Sequence, residues 1–272
     1  MGGACLTTAV VATERRLVFG EVADLYDRHR PTYPGELVDD LLDLAGARPG
    51  DRVLEVGAGT GKATELFAAR GVAVTAVEPS SGMATVLRGK FADSAAVTVV
   101  ESDFERWDPA GAAFRLLYSA QAWHWIDPER RYPLARRALT PGGVLAAFWN
   151  RPAWGGSPLR DALLRVYRQA GRGLSTEGQM HPANPDPGRE EDWAAEIAGA
   201  PEFTEPATRR YRWSQDYTGE EYAGMLGTLS EYRLLDAPAR ERILGAVRDT
   251  IEDQGPTLHM PMVTLVCTAR AA

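Results

Sequence analysis

The glycine-rich stretch at residues 53–61, VLEVGAGTG, constrains the fold of this chain more than any other feature. Its apolar, β-branched beginning predicts a buried strand, and the residues after it predict a helix over 62–70. Between them stand three glycines at alternate positions, Gly57, Gly59 and Gly61. Because glycine has no Cβ, such a turn lets a ligand approach the backbone N–H groups at the helix start. The stretch therefore predicts an α/β fold with a ligand at this turn, and a plain βα turn without a ligand is the alternative.

The spacing of the glycines distinguishes this turn from other nucleotide-binding motifs. In the dinucleotide motif G-x-G-x-x-G, the third glycine packs the helix closely on the strand. Lys62 occupies that position here, and the P-loop pattern G-x-x-x-x-G-K-[ST] does not occur in the turn. Glu55 and the glycines instead give E-x-G-x-G-x-G, which resembles motif I of class I methyltransferases that use S-adenosylmethionine. The resemblance implies that the cofactor lies against Glu55, Gly57, Ala58, Gly59 and Gly61.

The second predicted strand, over 72–77, is followed by an acidic residue, Glu78. A carboxylate about 20 positions after the glycine turn can accept hydrogen bonds from both hydroxyls of an uncharged ribose, in methyltransferases and in NAD enzymes alike. The segment E-P-S-x-x-M, which contains Glu78, Pro79 and Met83, resembles a methyltransferase segment whose methionine packs on adenine. Packing inside a helix core is the alternative role of Met83.

A third predicted strand, over 97–100, is followed by Asp103 and Phe104. In the methyltransferases that the chain resembles, an aspartate at this position accepts the adenine amino group, and the next residue offers its backbone N–H to the ring. The resemblance therefore assigns both residues to the adenine. A helix cap is the alternative role of Asp103, since aspartate is common at helix starts.

A polar and aromatic segment precedes the first predicted strand. Its pattern A-x-x-Y-x-x-x-R-P-x-Y-P resembles the N-terminal lid of small-molecule methyltransferases near the trans-aconitate and ubiquinone/menaquinone groups. The resemblance implies that Tyr26 and Arg30 approach the methionine carboxylate of the cofactor. Tyr26 and Tyr33 are also candidates for a catalytic base above the reacting centre. A solvated surface helix is the alternative interpretation of the segment.

The sequence AQAWHW follows a fourth predicted strand, over 116–120, where a doubly wound sheet would place its ligand. Enzymes that methylate nucleic-acid bases typically have (D/N)-P-P-(Y/F) there, and this chain has Ser-Ala-Gln-Ala. The pattern A-x-H-W-x-D resembles the small-molecule branch instead. His124 is a candidate general base, because imidazole titrates near neutral pH, and packing of the cofactor is its alternative role. The same resemblance places Ala120, Gln121 and His124 at the cofactor.

The rest of the chain continues an α/β pattern. We predict a turn over 139–143, strands over 144–149, 208–213 and 262–268, and helices over 159–170, 218–229 and 237–253. The resemblance implies a Rossmann-like, seven-stranded, mostly parallel α/β sheet with helices on both faces and a small helical cap. We expect residues 1–150 to form the N-terminal lid and the core that binds S-adenosylmethionine, residues 151–259 the helical cap with a late strand, and residues 260–272 the last core strand.

Charge and composition exclude several other classes. A net charge of −7 argues against a nucleic-acid partner, because nucleic-acid binders present a basic face. Cys5 and Cys267 lie near opposite ends and give neither a metal-binding spacing nor a disulfide framework, so no metal is predicted. The sequence shows no apolar run of about 18 residues and no secretory signal, which predicts a cytoplasmic protein without a membrane segment. Monomer and homodimer both stay open.

The predicted function is methyl transfer from S-adenosylmethionine to an O, N, S or C nucleophile of a small molecule, with secondary metabolism as one setting. S-adenosylhomocysteine is the expected product. Two alternatives stay open: a protein of this fold that binds S-adenosylmethionine without methylating, and an NAD-linked oxidoreductase. The missing third glycine at Lys62, together with Asp103, argues against the oxidoreductase.

Overall fold

A computed structural model describes residues 23–111, 113–170, 174, 180 and 187–272, of which residues 187–192 are described by their backbone alone. Its strands are β1 (Arg52–Val56), β2 (Ala73–Glu78), β3 (Val97–Glu101), β4 (Phe114–Ala120), β5 (Leu139–Pro152), β6 (Phe203–Tyr217) and β7 (Leu258–Ala271). They form one seven-stranded sheet in the order β3-β2-β1-β4-β5-β7-β6.

Helices connect most of the strands in the described part of the chain. They are α1 (Ala23–His29), α2 (Gly35–Ala45), α3 (Lys62–Ala68), α4 (Ser81–Lys90), α5 (Arg131–Ala138), α6 (Pro158–Ala170), α7 (Pro187–Ala198), α8 (Gly219–Gly227), α9 (Ser230–Arg233) and α10 (Ala237–Gln254). A short 3₁₀ turn, Trp123–Trp125, follows β4.

The direction of the strands places the ends of the core strands at one edge. Strands β1 to β5 pair in parallel, whereas β7 pairs antiparallel with both β5 and β6. Since the carboxyl ends of parallel strands meet at one edge of a sheet, the turns after β1, β2 and β4 lie together there. The predicted fold class, a mostly parallel Rossmann-like sheet, is confirmed.

Alternating strand residues fill two apolar layers, one on each face of the sheet. Leu54 and Val56 pack in one layer and Val53 in the other, as the period-two geometry of a strand requires. Helix α2 covers the second layer and ends at Gly46, whose φ of 61° is left-handed. Helix α5 contributes to the first layer through Tyr132 and its neighbours. Helices therefore cover both faces of the sheet.

The predicted turn over 139–143 lies inside β5 as an irregularity of the strand. Phe114 of β4 pairs with Leu139, but Leu116 pairs with Val144, so four residues of β5 lie between these pairs opposite one residue of β4. Gly142 within this stretch has φ of 70°, which favours glycine. The predicted turn is therefore a bulge within β5, because β5 pairs with β4 both before and after it.

Strands β6 and β7 are longer than predicted, and helix α7 was missed. Proline and glycine at 187 and 188 favour a loop, but Pro187 is the first residue of the helix. A backbone N–H at that position has no acceptor within the helix, so proline loses no helical hydrogen bond there. Trp193 and Ile197 then pack on the first apolar layer, and the Trp193 ring stacks on Trp149 at 4.9 Å between ring centroids. Tertiary packing therefore stabilises a helix that the local sequence does not favour.

A third apolar cluster holds the helical cap together above the carboxyl edge. It joins helices α6, α8 and α10 through Tyr167, Tyr222 and Val247, all of which are buried. Helix α8 begins with a capping box between Thr218 and Glu221. No helix among the residues described is both long and apolar enough to cross a membrane.

Candidate functional site

A cavity of about 310 Å³ lies at the carboxyl edge, between the core strands and the helical cap. This volume is within the usual range for small-molecule sites. The structure brings eleven of the predicted site residues to its wall: Tyr26, Arg30, Gly57, Gly59, Glu78, Pro79, Met83, Phe104, Ala120, Gln121 and His124. Four others, Tyr33, Glu55, Ala58 and Gly61, lie behind the wall in buried positions or at the start of α3, and Asp103 lies beside it.

The three glycines of the turn have different packing environments. All three have positive φ, but a Cβ on Gly57 would lie 2.3 Å from that of Ala122, and a Cβ on Gly61 would lie 2.5 Å from Leu87 Cδ1. A Cβ on Gly59 would meet no atom within 4 Å, although Gly59 lines the cavity. Gly57 and Gly61 therefore serve packing, and Gly59 leaves open space for a ligand beside the backbone.

Glu78 at the end of β2 is held against the glycine turn. Its Oε2 accepts the N–H of Gly59 at 2.8 Å, and its Oε1 accepts the N–H of Ser80 at 2.8 Å. An ionised carboxylate only accepts hydrogen bonds, so this group suits a ligand with hydroxyl donors. The fixed side chain lines the cavity and is oriented before any ligand arrives.

Glu55, the acidic residue of the motif, is buried beneath the turn. Its Oε2 accepts hydrogen bonds from Thr64 Oγ1 at 2.5 Å and from the Tyr118 hydroxyl at 3.0 Å. Burial raises the pKa of Glu55 to about 8, and the nearby Glu78 carboxylate acts in the same direction. Glu55 therefore supports the start of α3 from below, and the structure does not place it on the cavity wall.

Of the residues predicted to contact adenine, two line the cavity and one lies beside it. Met83 and Phe104 are buried and line the cavity. Asp103 is partly exposed, with one carboxylate oxygen 3.9 Å from Arg106 Nε, and does not reach the wall. Phe104 packs on Trp107 with 6.3 Å between ring centroids, which fixes the loop after β3.

His124 lies on the 3₁₀ turn after β4, and its ring is oriented by a neighbouring strand. Trp149 of β5 donates its indole N–H to His124 Nδ1 at 3.3 Å. Because the indole nitrogen only donates, Nδ1 is the acceptor and the neutral imidazole carries its proton on Nε2. In this arrangement His124 offers a hydrogen-bond donor at Nε2, whereas a base needs a lone pair at that atom.

The N-terminal segment brings Tyr26 and Arg30 to the cavity but not Tyr33. The Arg30 guanidinium lies 4.8 Å from the centre of the Tyr26 ring, and both side chains line the cavity. Tyr33 is buried in the core, edge-on to Phe148 at 5.0 Å between ring centroids. Burial raises the pKa of Tyr33 well above its usual value, so its phenol stays protonated. Its predicted position above the reacting centre is therefore corrected: the ring packs against the sheet, in the apolar layer that contains Phe148.

Gln121 has the only strained backbone among the described residues of the cavity wall other than glycine, with φ of 60°. Its N–H donates to Phe148 O at 2.9 Å, which holds the chain in this conformation. Left-handed conformations are costly for residues with a Cβ and cluster at functional sites. Sequence reasoning selected Gln121 from its position after β4, and gave no sign of this strain.

The wall contributed by the cap was only partly predicted. The helical cap itself was predicted, but Tyr217, Met260 and Met262 on its cavity wall were not singled out. These three lie at the ends of β6 and β7, which extend past the predicted strand limits. The alternation of large apolar residues over 258–262 was the signal that could have revealed them.

Comparison with known proteins agrees with this geometry. A family model described as a methyltransferase domain matches residues 53–143. An uncharacterized methyltransferase of Mycobacterium bovis is 31% identical over 261 residues, which cover 94% of this chain and 96% of the relative. The chain belongs to the methyltransferase family. The predictions of a class I methyltransferase and of S-adenosylmethionine as its cofactor are confirmed with the family.

Two further similarities bear on the fold and on the core of this methyltransferase. A solved structure from Anaeromyxobacter dehalogenans, described as a candidate type II methyltransferase, superposes with a TM-score of 0.60 at 24% identity and covers 89% of this chain and 97% of that one. Ribosomal RNA small subunit methyltransferase A of Anaeromyxobacter dehalogenans is 47% identical over 79 residues, 29% of this chain and 27% of the relative. The first likeness spans the whole fold, and the second spans less than a third of either chain.

Proposed function

We propose that this methyltransferase methylates a small-molecule acceptor bound between the core and the helical cap. One observation carries the proposal: a single cavity is lined on one side by Gly59 and Glu78 and on the other by Met225 and Met260 of the cap. The first side has the polar, open backbone that a nucleoside needs. The second side is apolar and enclosed, as is typical of a small-molecule site.

The core side of the cavity fits the cofactor of the family. The open space beside Gly59 admits a ligand to the backbone, and the Glu78 carboxylate on the cavity wall is the acceptor that we propose for the two ribose hydroxyls. Met83 and Phe104 provide an apolar surface for adenine. Arg30, on the lid, supplies the positive charge that a methionine carboxylate would need. Asp103 remains a proposed adenine contact that would have to turn toward the cavity.

In the proposed methyl transfer, the main task of the protein is to position the two reactants. When bound, S-adenosylmethionine would supply a methyl group on a positively charged sulfur: the nucleophile of the acceptor would bond to the methyl carbon in line as the carbon–sulfur bond breaks, and S-adenosylhomocysteine would leave. The chain's own residues orient the two reactants and exclude water, which can provide most of the acceleration. Tyr26 and His124 line the cavity near the strand ends, where each can donate a hydrogen bond to the acceptor.

His124 is proposed as a hydrogen-bond donor that orients the acceptor. The general-base role needs the proton on Nδ1 and the loss of the bond from Trp149. Of the three predicted candidates for a base, Tyr26 and His124 remain at the cavity. An acceptor that is already ionised or is a neutral amine needs no base.

A small molecule is favoured over nucleic acid as the acceptor. The net charge of −7 would repel a phosphate backbone. The match to the ribosomal RNA methyltransferase covers less than a third of the chain, so it carries no argument about the cap. We also propose the predicted division of labour, with residues 1–150 holding the cofactor and residues 151–259 forming the cap over the acceptor, in a monomer or homodimer.

Calorimetry with S-adenosylhomocysteine, followed by a screen of acceptors with labelled S-adenosylmethionine, tests the proposal. We expect micromolar binding of S-adenosylhomocysteine, equivalent to about −8 kcal/mol, and label transfer to at least one small molecule. Binding without transfer to any acceptor would favour the non-methylating alternative. Binding of NAD without a response to S-adenosylhomocysteine, or label transfer to RNA alone, would contradict the proposal.

A further inference from the structure

The lid, residues 23–34, is attached to the sheet close to its end. The backbone oxygen of Thr32 accepts a hydrogen bond from Asn150 Nδ2 at 2.8 Å. Asn150 lies near the end of β5, is 5% exposed and lines the cavity. Arg30 and Pro31, which directly precede Thr32, also line the cavity. The bond from Asn150 therefore holds the lid at the point where it borders the proposed cofactor site.

Two further hydrogen bonds orient the Asn150 amide. Trp213 of β6 donates its indole N–H to Thr264 Oγ1 at 2.9 Å, and the Thr264 hydroxyl donates to Asn150 Oδ1 at 2.6 Å. Because an indole nitrogen only donates, the Thr264 oxygen accepts the first bond, and the hydroxyl proton is left for Asn150. The amide oxygen of Asn150 therefore faces Thr264, and its amide nitrogen faces Thr32.

The polar pair of Asn150 and Thr264 continues an apolar row of the sheet. The two residues are directly opposite each other in the β5–β7 register, and Thr264 is fully buried. Phe148 and Val266, the opposed pair two positions away on the same face, belong to the second apolar layer. Apolar contacts are not directional, whereas a buried hydrogen bond defines one arrangement of its partners. The polar pair therefore holds the lid in one position, where an apolar pair would only pack beneath it.

Arg30 is consequently held from two sides. Its Nε donates to Thr228 Oγ1 at the end of α8 at 2.8 Å, and its main chain lies two residues before the oxygen that Asn150 binds. A hydrogen bond between arginine and a carboxylate is strong and depends on geometry. Resting on the proposed function, we propose that Asn150 is a positioning residue, which through Thr32 sets the place of Arg30 at the methionine carboxylate of the cofactor. The nucleoside half of the cofactor, on the side of Glu78, does not depend on Asn150.

Two probes separate the two halves of the cofactor in a test on the full-length protein. S-adenosylhomocysteine carries the amino-acid carboxylate, and 5′-methylthioadenosine has the same nucleoside and sulfur without it. Asn150→Leu keeps the size of the side chain and removes both of its hydrogen bonds. We expect calorimetry to show S-adenosylhomocysteine binding weakened by about threefold to tenfold, the value of one hydrogen bond, and 5′-methylthioadenosine binding unchanged.

A double substitution tests whether Asn150 acts through Arg30. In an Arg30→Ala protein the guanidinium is already absent, so the addition of Asn150→Leu should lower the affinity for S-adenosylhomocysteine by less than about twofold further. A direct contact between Asn150 and the cofactor would instead give the same loss with and without Arg30. That additivity would overturn the proposal.

Thr264→Val and Thr268→Val form a matched pair that decides the question even if Asn150→Leu does not fold. Both threonines lie on one face of β7, but the Thr268 hydroxyl donates to Ala207 O of β6 at 3.5 Å. Thr264→Val leaves the Asn150 amide without its donor, and should weaken S-adenosylhomocysteine binding by about twofold to fivefold without affecting 5′-methylthioadenosine. Thr268→Val should change neither affinity.

Three results would each overturn the proposal. They are an equal loss of both probes, a folded Asn150→Leu protein with wild-type affinity for S-adenosylhomocysteine, and a Thr264→Val protein that binds both probes as Thr268→Val does. A wild type that fails to bind S-adenosylhomocysteine would instead contradict the proposed function.

Discussion

Arg30 donates a hydrogen bond from Nε to Oγ1 of Thr228 at 2.8 Å, and so joins the segment before the sheet to the end of helix α8. The Thr228 side chain is fully buried, and its hydroxyl donates in turn to Met225 O at 2.6 Å. Arg30 and Met225 both line the cavity, one on the lid and one on the cap. The buried hydroxyl therefore links the proposed cofactor side to the proposed acceptor side.

Thr228→Val is expected to weaken S-adenosylhomocysteine binding by about threefold to tenfold and to cost about 1–2 kcal/mol of the free energy of unfolding. The reason is that valine keeps the shape of threonine but removes the hydroxyl that accepts from Arg30 Nε, and leaves the longer bond from Arg30 Nη2 to the backbone oxygen of residue 228 at 3.4 Å. Calorimetry and urea unfolding measure the two effects. Thr250→Val is the control, since Thr250 is partly exposed on α10 and its hydroxyl donates to Ala246 O within its own helix. Equal effects of the two substitutions on binding would contradict the link.

Glu78→Gln is expected to weaken S-adenosylhomocysteine binding at least tenfold, because a hydrogen bond to a charged group contributes about 1.5–3 kcal/mol. An amide also turns one acceptor into a donor that faces the N–H of Gly59 or Ser80. Glu101→Gln provides a matched control, since Glu101 is the register partner of Glu78 on β3 and is exposed. A folded Glu78→Gln protein with wild-type affinity would refute the ribose role.

The buried Glu55 predicts a pH-dependent stability of definite sign. Its pKa is raised from 4.5 to about 8 in the folded protein, so the folded state binds more protons than the unfolded state between these values. The free energy of unfolding should therefore fall as pH rises from 5 to 8, by up to about 1.4 kcal/mol per pH unit from this group. Urea unfolding of the wild type and Glu55→Gln across this range checks the slope, which the amide should remove. A Glu55→Gln protein with the same pH dependence as the wild type would show that Glu55 is ionised when folded.

Substitution of His124 distinguishes a donor from a base once an acceptor is known. We expect His124→Ala to lower kcat by about tenfold to a hundredfold at every pH, and His124→Gln, which keeps an N–H near the position of Nε2, to retain most of the activity. A pH–rate profile of the three proteins gives the answer. If His124 were a base, glutamine would not rescue, and the loss in both variants would shrink as rising pH ionises the acceptor.

The part of the site formed by the core strands could be predicted from the sequence, because the residues that form it lie close together in the chain. The strand, the glycine spacing and Glu78 lie within one βαβ unit, where chain order and spacing fix which side chains meet. Gly46 likewise ends α2 by a local preference of its own, a left-handed backbone conformation. The cavity wall formed by the core was predicted for this reason.

The cap half depends on contacts between residues far apart in the chain. Thr228 meets Arg30 across 198 positions, and Asn150 meets Thr32 across 118, so no local pattern reveals either pair. Tyr33 shows the same limit in the opposite direction: its place in an aromatic, polar segment suggested the cavity, but its ring packs on Phe148 in the core. Helix α7 was missed because only packing of Trp193 on Trp149 favours it.

The two ends of the cap segment over 218–257 meet in a single strand pair, because Tyr217 and Leu258 are directly opposite each other in the β6–β7 register. Opposed residues of antiparallel strands have Cα atoms about 5 Å apart. Helices α8, α9 and α10 therefore lie in the connection between two strands, β6 and β7, that pair with each other directly before and after it. A replacement of this one continuous stretch would therefore change the cavity wall at Tyr222, Met225 and Leu229, while the strand pair that holds its two ends stays in place.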